Sequence, residues 1–399
     1  MFLSWFGSPA PITPTTPITP TTPTTPTTPT TPTTPTTTNK PTTPTAPTVG
    51  TPQENVLKAP RFLSAENIKR DGGDVESLDL CLQDATIVIR TLPHGTPPRR
   101  TLYKVHKHVL ALHCSAFESM FSGPQAAFNV GSDHHDGLPV MDLPDDPDDV
   151  ELFLKALYFP QETHHVPVAR IPGSSVPVHF PPSYHSILRL ATKYEAQTIQ
   201  DIVVRALKTQ WPSTLGGYDS LLSGVVPRYL YPDDPGQIIS LARMCSIPDV
   251  LPLAFHLLSY RVQDLSPARD SQINDLNSED LGRLISGQAK SSKMLKAGLQ
   301  SSVLSTSSCQ KKESPCQASA RTWLDVSLIY VMGNEPLFEL RYVRAQASKA
   351  GAENVWCGPC TAQLESQIDA LRQDMWNKLP ESFGLKDVSA KWGEVEVST

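Results

Sequence analysis

The stretch that most constrains the fold is residues 102–121, where the hydrophobic pattern changes its period. Tyr103 and Val105 alternate with polar neighbours, and this two-residue period is typical of a half-buried strand. From Val109 onward the apolar residues follow the spacing of a helix. Ser115 is a residue type that caps helices, so a second short helix is predicted to begin there. Its apolar face consists of Phe117, Met120 and Phe121.

Further helical patterns follow in the same domain. Residues 148–158 have the broad apolar face of a helix. A run rich in proline and histidine follows at 160–182, where we predict a loop insertion. The helical period then returns at 184–211 and stops before a proline.

Three segments give this domain a family resemblance. The motifs K-V-H-K-H-V-L-A-L at 104–112, S-A-F-E-S-M-F at 115–121 and D-L-P-D-D-P-D-D-V-E-L-F-L-K-A-L-Y at 142–158 resemble the BTB/POZ domain, of the type abundant in mushroom-forming fungi. The resemblance implies an α+β fold over residues 74–212, with a small mixed sheet and a helical cluster, and it identifies residues 84–90 and 137–144 as two of the strands. It also implies a protein-interaction module that forms homodimers or recruits protein partners.

The resemblance leaves cullin binding open. Many BTB/POZ proteins are substrate adaptors for cullin-based ubiquitin ligases, and a hydrophobic-x-Glu element then usually follows the Met-Phe position. Here Met120 and Phe121 are followed by S-G-P-Q-A-A-F-N at 122–129, which lacks that element. A scaffold or adaptor of unspecified partner is therefore the expectation.

After this domain the patterns are helical, which predicts an all-α C-terminal extension. Residues 213–287 form its first part and finish with a compact helix from Ser278 to Gly287, with a serine cap and a terminal glycine. Residues 288–320 are rich in Ser and Lys and predict a polar linker or helix. Residues 321–399 are predicted to be a helical segment with a cysteine pair, and their L-P-E-S-F-G-L motif resembles the ending of fungal BTB proteins.

Composition bounds the rest of the chain. From Pro9 to Pro52 the chain repeats Thr-Thr-Pro with almost no charge and almost no large apolar residues, so we expect residues 1–60 to be a disordered tail. The net charge of -6 argues against a general nucleic-acid partner, and no apolar run reaches the length of a membrane span. Seven cysteines, an odd count, and the lack of a signal-peptide core favour reduced thiols in the cytoplasm or nucleus.

The most prominent chemical motif is Trp356-Cys-Gly-Pro-Cys360, which thioredoxins use as a redox dithiol. A thioredoxin motif should follow a buried apolar strand, whereas residues 344–354 are polar and predict a helix end and loop. Downstream, an amphipathic helical stripe follows where a βαβ sheet would need more strands. A thiol-disulfide oxidoreductase is therefore kept as the alternative function.

The same thiols are candidate ligands of a structural zinc ion. Cys357 and Cys360 have the C-x-x-C spacing that lets two sulfurs reach one tetrahedral ion, and Cys309 and Cys316 are a second pair. The competing interpretation is that these are unligated thiols that pack at the start of a helix.

The sequence predicts no enzyme. It contains no G-x-S-x-G, P-loop, G-x-G-x-x-G after a strand or H-E-x-x-H motif, so we name no catalytic or cofactor-binding residue. Cys114 stands next to His113, but adjacent helical residues point about 100° apart, and Cys114 is predicted to lie in the core.

Overall fold

The computed structural model is mixed α+β, with a small sheet and a helical C-terminal region, and this coarse prediction is confirmed. The predicted tail 1–60 and most of the predicted insertion 160–182 lie outside the described residues. The structure describes residues 74–95, 98–122, 133–160, 180–222, 234–261, 273, 276–302, 304, 309–311, 315–332, 334–386, 388 and 392–393.

The sheet has five strands in the order β1-β3-β2-β5-β4. The β2 strand pairs antiparallel with β3 and parallel with β5, while β1 lies parallel to β3 and β4 antiparallel to β5. The three predicted strands correspond to β2, β3 and β5. The strands are β1 (Asp74–Cys81), β2 (Ile87–Thr91), β3 (Arg100–Val105), β4 (His134–His135) and β5 (Leu138–Leu143).

Strand β2 is central and buried on both faces, which explains its unbroken apolar run. Because successive side chains point to opposite faces, Ile87 and Ile89 join the main cluster under the helices, whereas Val88 packs on the other face with Leu102 and Val140.

Thirteen α-helices and one 3₁₀ helix, Pro248–Val250, follow or interrupt the sheet among the described residues. No helix in these ranges combines the length and apolarity needed to cross a membrane. The helices are α1 (Lys107–His113), α2 (Ser115–Ser122), α3 (Pro147–Tyr158), α4 (Pro182–Lys193), α5 (Gln197–Gln210), α6 (Leu215–Leu221), α7 (Pro235–Met244), α8 (Leu251–Arg261), α9 (Ser278–Ser301), α10 (Pro315–Met332), α11 (Pro336–Ala352), α12 (Gly358–Asn377) and α13 (Leu379–Ser382).

Two features near the sheet were not predicted. Strand β1 was not expected, because only Ser77 and Leu80 of its eight residues are buried and its pattern is that of an exposed edge. Helix α2 begins at Ser115 as predicted, but Ser115 is its first residue and not its cap. Its hydroxyl donates a hydrogen bond to the carboxylate of Glu195, in the turn between α4 and α5, so a tertiary partner replaces the local one.

Helix α9 does not end at Gly287 as predicted but continues to Ser301, and its cap is Asn277. A glycine occupies position 287 because of packing, since a Cβ on Gly287 would lie 2.0 Å from Cδ1 of Phe383. Gly298 is also a contact point, since its Cβ would meet Leu371 at 2.2 Å. Both glycines let other helices approach α9 closely, and neither terminates it.

The C-terminal helices complete the core of the middle ones. Arg372 on α12 donates to the side chain of Asp219 on α6 at 2.7 Å and to the carbonyl of Leu337 at 2.5 Å. Trp376 Nε1 donates to the carbonyl of Ser213 at 3.1 Å. A single hydrophobic cluster accordingly extends from the end of the α+β part into the last helices.

A buried hydrogen-bonded pair of His256 and Glu335 lies inside this helical core. His256 Nε2 on α8 is 2.5 Å from Oε1 of Glu335, and the His256 side chain is fully buried. Glu335 caps α11 by accepting from the backbone N–H groups of Leu337 and Phe338, and the Tyr218 hydroxyl donates to it at 3.0 Å. One carboxylate therefore joins three helices.

The aromatic face of α2 gives a stability prediction. Phe117 is 1% exposed and stacks on Tyr194 at 4.7 Å, whereas Glu118 is exposed. Phe117→Ala should lower the free energy of unfolding by about 3–5 kcal/mol, because a large buried aromatic leaves a cavity. Glu118→Ala is the matched control on the same helix and should change it by less than about 0.5 kcal/mol. If chemical denaturation showed equal losses of unfolding free energy in the two variants, the assignment of Phe117 to the buried face of α2 would be contradicted.

Candidate metal centre

The four candidate cysteines come from three separate places in the chain. Cys309 lies in the short segment 309–311, and Cys316 is the second residue of α10. Cys357 is the N-cap of α12, with Cys360 in the first turn of that helix. Both helices have proline within their first two positions, where its fixed φ favours a helix start. Two helix beginnings therefore bring three of the thiols together.

The sulfur atoms of all four cysteines lie within 4.8 Å of one another. Cys309 Sγ and Cys357 Sγ are 3.9 Å apart. Four thiolates around a tetrahedral zinc ion, with Zn–S bonds of about 2.3 Å, would be separated by about 3.8 Å. The cluster can therefore hold a metal ion with little change in the positions of these two sulfurs.

The segment 309–311 is fixed by contacts that the sequence pattern did not predict. The backbone N–H of Gln310 donates to Cys357 Sγ at 3.4 Å. Lys311 Nζ donates to the carbonyl oxygens of Asn354 and Val355 at 2.7 and 2.9 Å, in the turn that precedes the motif. Backbone donors have no residue-type signature, and a lysine in a Ser/Lys-rich segment does not stand out.

Two tryptophans hold the neighbouring helices in place. Trp356 is 2% exposed and its Nε1 donates to Ser319 Oγ on α10 at 3.1 Å. Its ring meets Trp323 edge-on with centroids 5.3 Å apart. The start of α12 is thereby packed against α10 independently of any metal.

The thiols differ in acidity. The hydrogen bond from the Gln310 N–H lowers the pKa of Cys357 to about 6. Burial, together with the neighbouring sulfurs, raises the pKa of Cys360 well above its usual value, and burial also raises the pKa of Cys316. A divalent cation bound here would have to displace the protons of the thiols whose pKa is raised, so its binding would release protons.

The surroundings of the Trp-Cys-Gly-Pro-Cys motif are helical. Helix α11 and a turn at Glu353 and Asn354 precede it, where a thioredoxin would have a strand. The predicted stripe on the following helix is buried as expected; it consists of Leu364, Ile368, Leu371, Met375 and Leu379.

A second group of metal-ligand residue types lies on the sheet. Glu76, His135 and Asp136 come within ligand distance of one another. Lys104 Nζ lies among them, 2.6 Å from Glu76 and 2.7 Å from Asp136. Because an ammonium group already provides the positive charge, this group is an ion-pair network.

Cys114 lies in the hydrophobic core, as predicted. It is 1% exposed between α1 and α2, and burial raises its pKa to about 12. A thiol held in the neutral form has little nucleophilicity.

Comparisons with known proteins give no relative for this chain: no family model, no curated protein and no solved structure matches it. The fold and the four-cysteine cluster are therefore the observations on which a function has to be argued.

Proposed function

We propose that this chain is a protein-interaction module of the BTB/POZ type that acts as a scaffold or adaptor. The supporting observation is the order of elements between Ile87 and Gln210, which runs β2, β3, α1, α2, β4, β5, α3, α4, α5. The motifs that carry the resemblance lie on β3, α1, α2 and α3, and the helices cover one face of a small mixed sheet. This is the arrangement that the resemblance implies.

The proposal includes self-association through the first helix and the adjoining strand. Helix α1 exposes Leu112, whose accessible fraction is 66%. An exposed leucine beside the half-buried Val109 offers an apolar contact for a second copy. We propose a homodimer that binds other proteins and neither nucleic acid nor membrane, in the cytoplasm or nucleus. A cullin is one candidate partner, and the sequence at 122–129 argues against it.

Light scattering at micromolar concentration tests this part of the proposal. The wild-type chain should be a dimer, and Leu112→Asp should give a monomer, because a charge would be buried without a partner in the contact. Ile285→Asp is the matched control, since Ile285 is 63% exposed on α9, in the helical C-terminal region. A wild-type monomer would remove the dimer from the proposal. Equal effects of the two variants would exclude α1 as the surface through which the two copies meet.

We further propose that the chain is no enzyme and that its four-cysteine cluster binds a structural zinc ion. Four sulfur donors satisfy zinc in a closed tetrahedral site with no open coordination position for a substrate. The ion would join segment 309–311 to the first turns of α10 and α12. Elemental analysis of protein purified without added metal should give about one equivalent of zinc.

The alternative function is a thiol-disulfide oxidoreductase that uses Cys357 and Cys360. The lowered pKa of Cys357 at a helix N-cap is the observation that favours it. An insulin-reduction assay separates the two proposals. We expect no rate above that of a Cys357→Ser variant, whereas catalysis that this substitution abolishes would establish the oxidoreductase.

A further inference from the structure

The four cysteines differ in their access to solvent, and three of them, including Cys357 at 9% exposure, are buried. Cys316 and Cys360 are each 1% exposed and lie within the first turns of α10 and α12. Cys309 is only half-buried and lies in segment 309–311, outside the described helices. A small solute that approaches the cluster therefore meets Cys309 first.

Cys357 Sγ lies within reach of Cys309 Sγ. Their sulfurs are 3.9 Å apart, and a disulfide needs about 2.0 Å, so the two atoms must approach by roughly 1.9 Å. Cys357 is the N-cap of α12 and not a residue of its helical turns. Movement of segment 309–311 toward this cap leaves the hydrogen bonds within α10 and α12 intact.

We propose that Cys309 and Cys357 are a site of reversible oxidation, at which a peroxide links the two sulfurs in a disulfide and releases the metal. This inference rests on the proposed zinc assignment. It gives the four-cysteine cluster a regulatory role, in which the oxidised chain loses the ion that joins segment 309–311 to α10 and α12.

The reaction balances with hydrogen peroxide as the oxidant. The sulfurs of Cys309 and Cys357 each give up one electron and form the S–S bond, and the peroxide O–O bond breaks. The hydrogen peroxide molecule takes up these two electrons and two protons from solvent and becomes two water molecules. Cys316 and Cys360 take up one proton each and become thiols, and zinc leaves as the aquated divalent ion.

The test treats the zinc-loaded full-length chain with one equivalent of hydrogen peroxide. A chromogenic chelator measures released zinc, and peptide mapping without reductant identifies the disulfide. We expect about one equivalent of zinc released, a Cys309–Cys357 peptide, and recovery of binding after dithiothreitol and zinc are added. Cys81→Ser, which removes a thiol on β1 outside the cluster, is the matched control and should behave as wild type.

A Cys309→His variant separates the metal from the disulfide. Imidazole is also a zinc ligand, so the variant should retain zinc, and its release by peroxide should slow by about tenfold or more. Release at the wild-type rate, or a Cys357–Cys360 disulfide in the wild type, would overturn the inference while leaving the zinc assignment intact. A wild-type chain that contains no zinc would overturn both.

Discussion

The double variant Cys357→Ser/Cys360→Ser should lose its zinc and at least about 3 kcal/mol of its free energy of unfolding. Structural zinc in small peptides contributes about 10–16 kcal/mol of apparent binding free energy, and removing two of the four ligands abolishes the tetrahedral site. The loss should be smaller here than in a peptide, because Trp356 and the stripe on α12 hold the helix independently.

Elemental analysis and chemical denaturation check this prediction together. A strong chelator should lower the melting temperature of the wild type and leave that of the double variant unchanged, which separates loss of the ion from loss of packing. Cys81→Ser is again the matched control and should keep both its zinc and its stability. Substoichiometric zinc that does not respond to the double substitution would identify the four cysteines as unligated thiols.

Glu335→Ala should destabilise the helical region about as much as loss of Phe117 destabilises the sheet-containing part. The substitution removes the acceptor that His256 and Tyr218 share, and each lost buried hydrogen bond costs about 1–3 kcal/mol. Glu335 also caps α11, and loss of a cap costs about 1 kcal/mol more. The exposed Glu353 at the other end of α11 gives the matched control, Glu353→Ala, which should be nearly silent.

The effect of Glu335→Ala should depend on pH with a defined sign. Burial alone would raise the pKa of Glu335, but the hydrogen bond from His256 and those from the α11 backbone outweigh it and hold the pKa below its usual value. The stabilisation that the Glu335 carboxylate provides is therefore present above its unfolded pKa of 4.5 and is lost as the pH falls through its lower folded pKa. Denaturation at pH 7 and near pH 3 should show the difference between wild type and variant shrinking in acid. A difference that grows in acid would contradict the pairing.

The sequence pattern was sufficient wherever burial follows a regular period. Strand β3 and helix α3 coincide with segments predicted from their hydrophobic period, because each has a continuous apolar face, whereas β2 and β5 coincide with segments expected from the family resemblance. Strand β1 has no such face and its pairing with β3 is a tertiary contact. Gly287 has the position of a C-cap in the sequence but contacts Phe383, and only the partner distinguishes packing from termination.

The candidate site shows the same division. Cysteine spacing predicted the pairs Cys309 with Cys316 and Cys357 with Cys360, and the structure places all four sulfurs together. The pairing of His256 with Glu335 had no signal, because the two residues are 79 positions apart and neither belongs to a motif. Contacts of that kind depend on helix packing and not on local chemistry.

The link between Trp376 and Ser213 has a consequence for synthesis on the ribosome. The two residues are 163 positions apart, so α12 emerges long after α6, whose Tyr218 packs against Trp376. At about 5–20 residues per second, the buried face of α6 is left uncovered for roughly 10–30 s until α12 is synthesised. During that interval a nascent chain exposes the ring of Tyr218, and a holdase chaperone that shields it would raise the yield of folded protein.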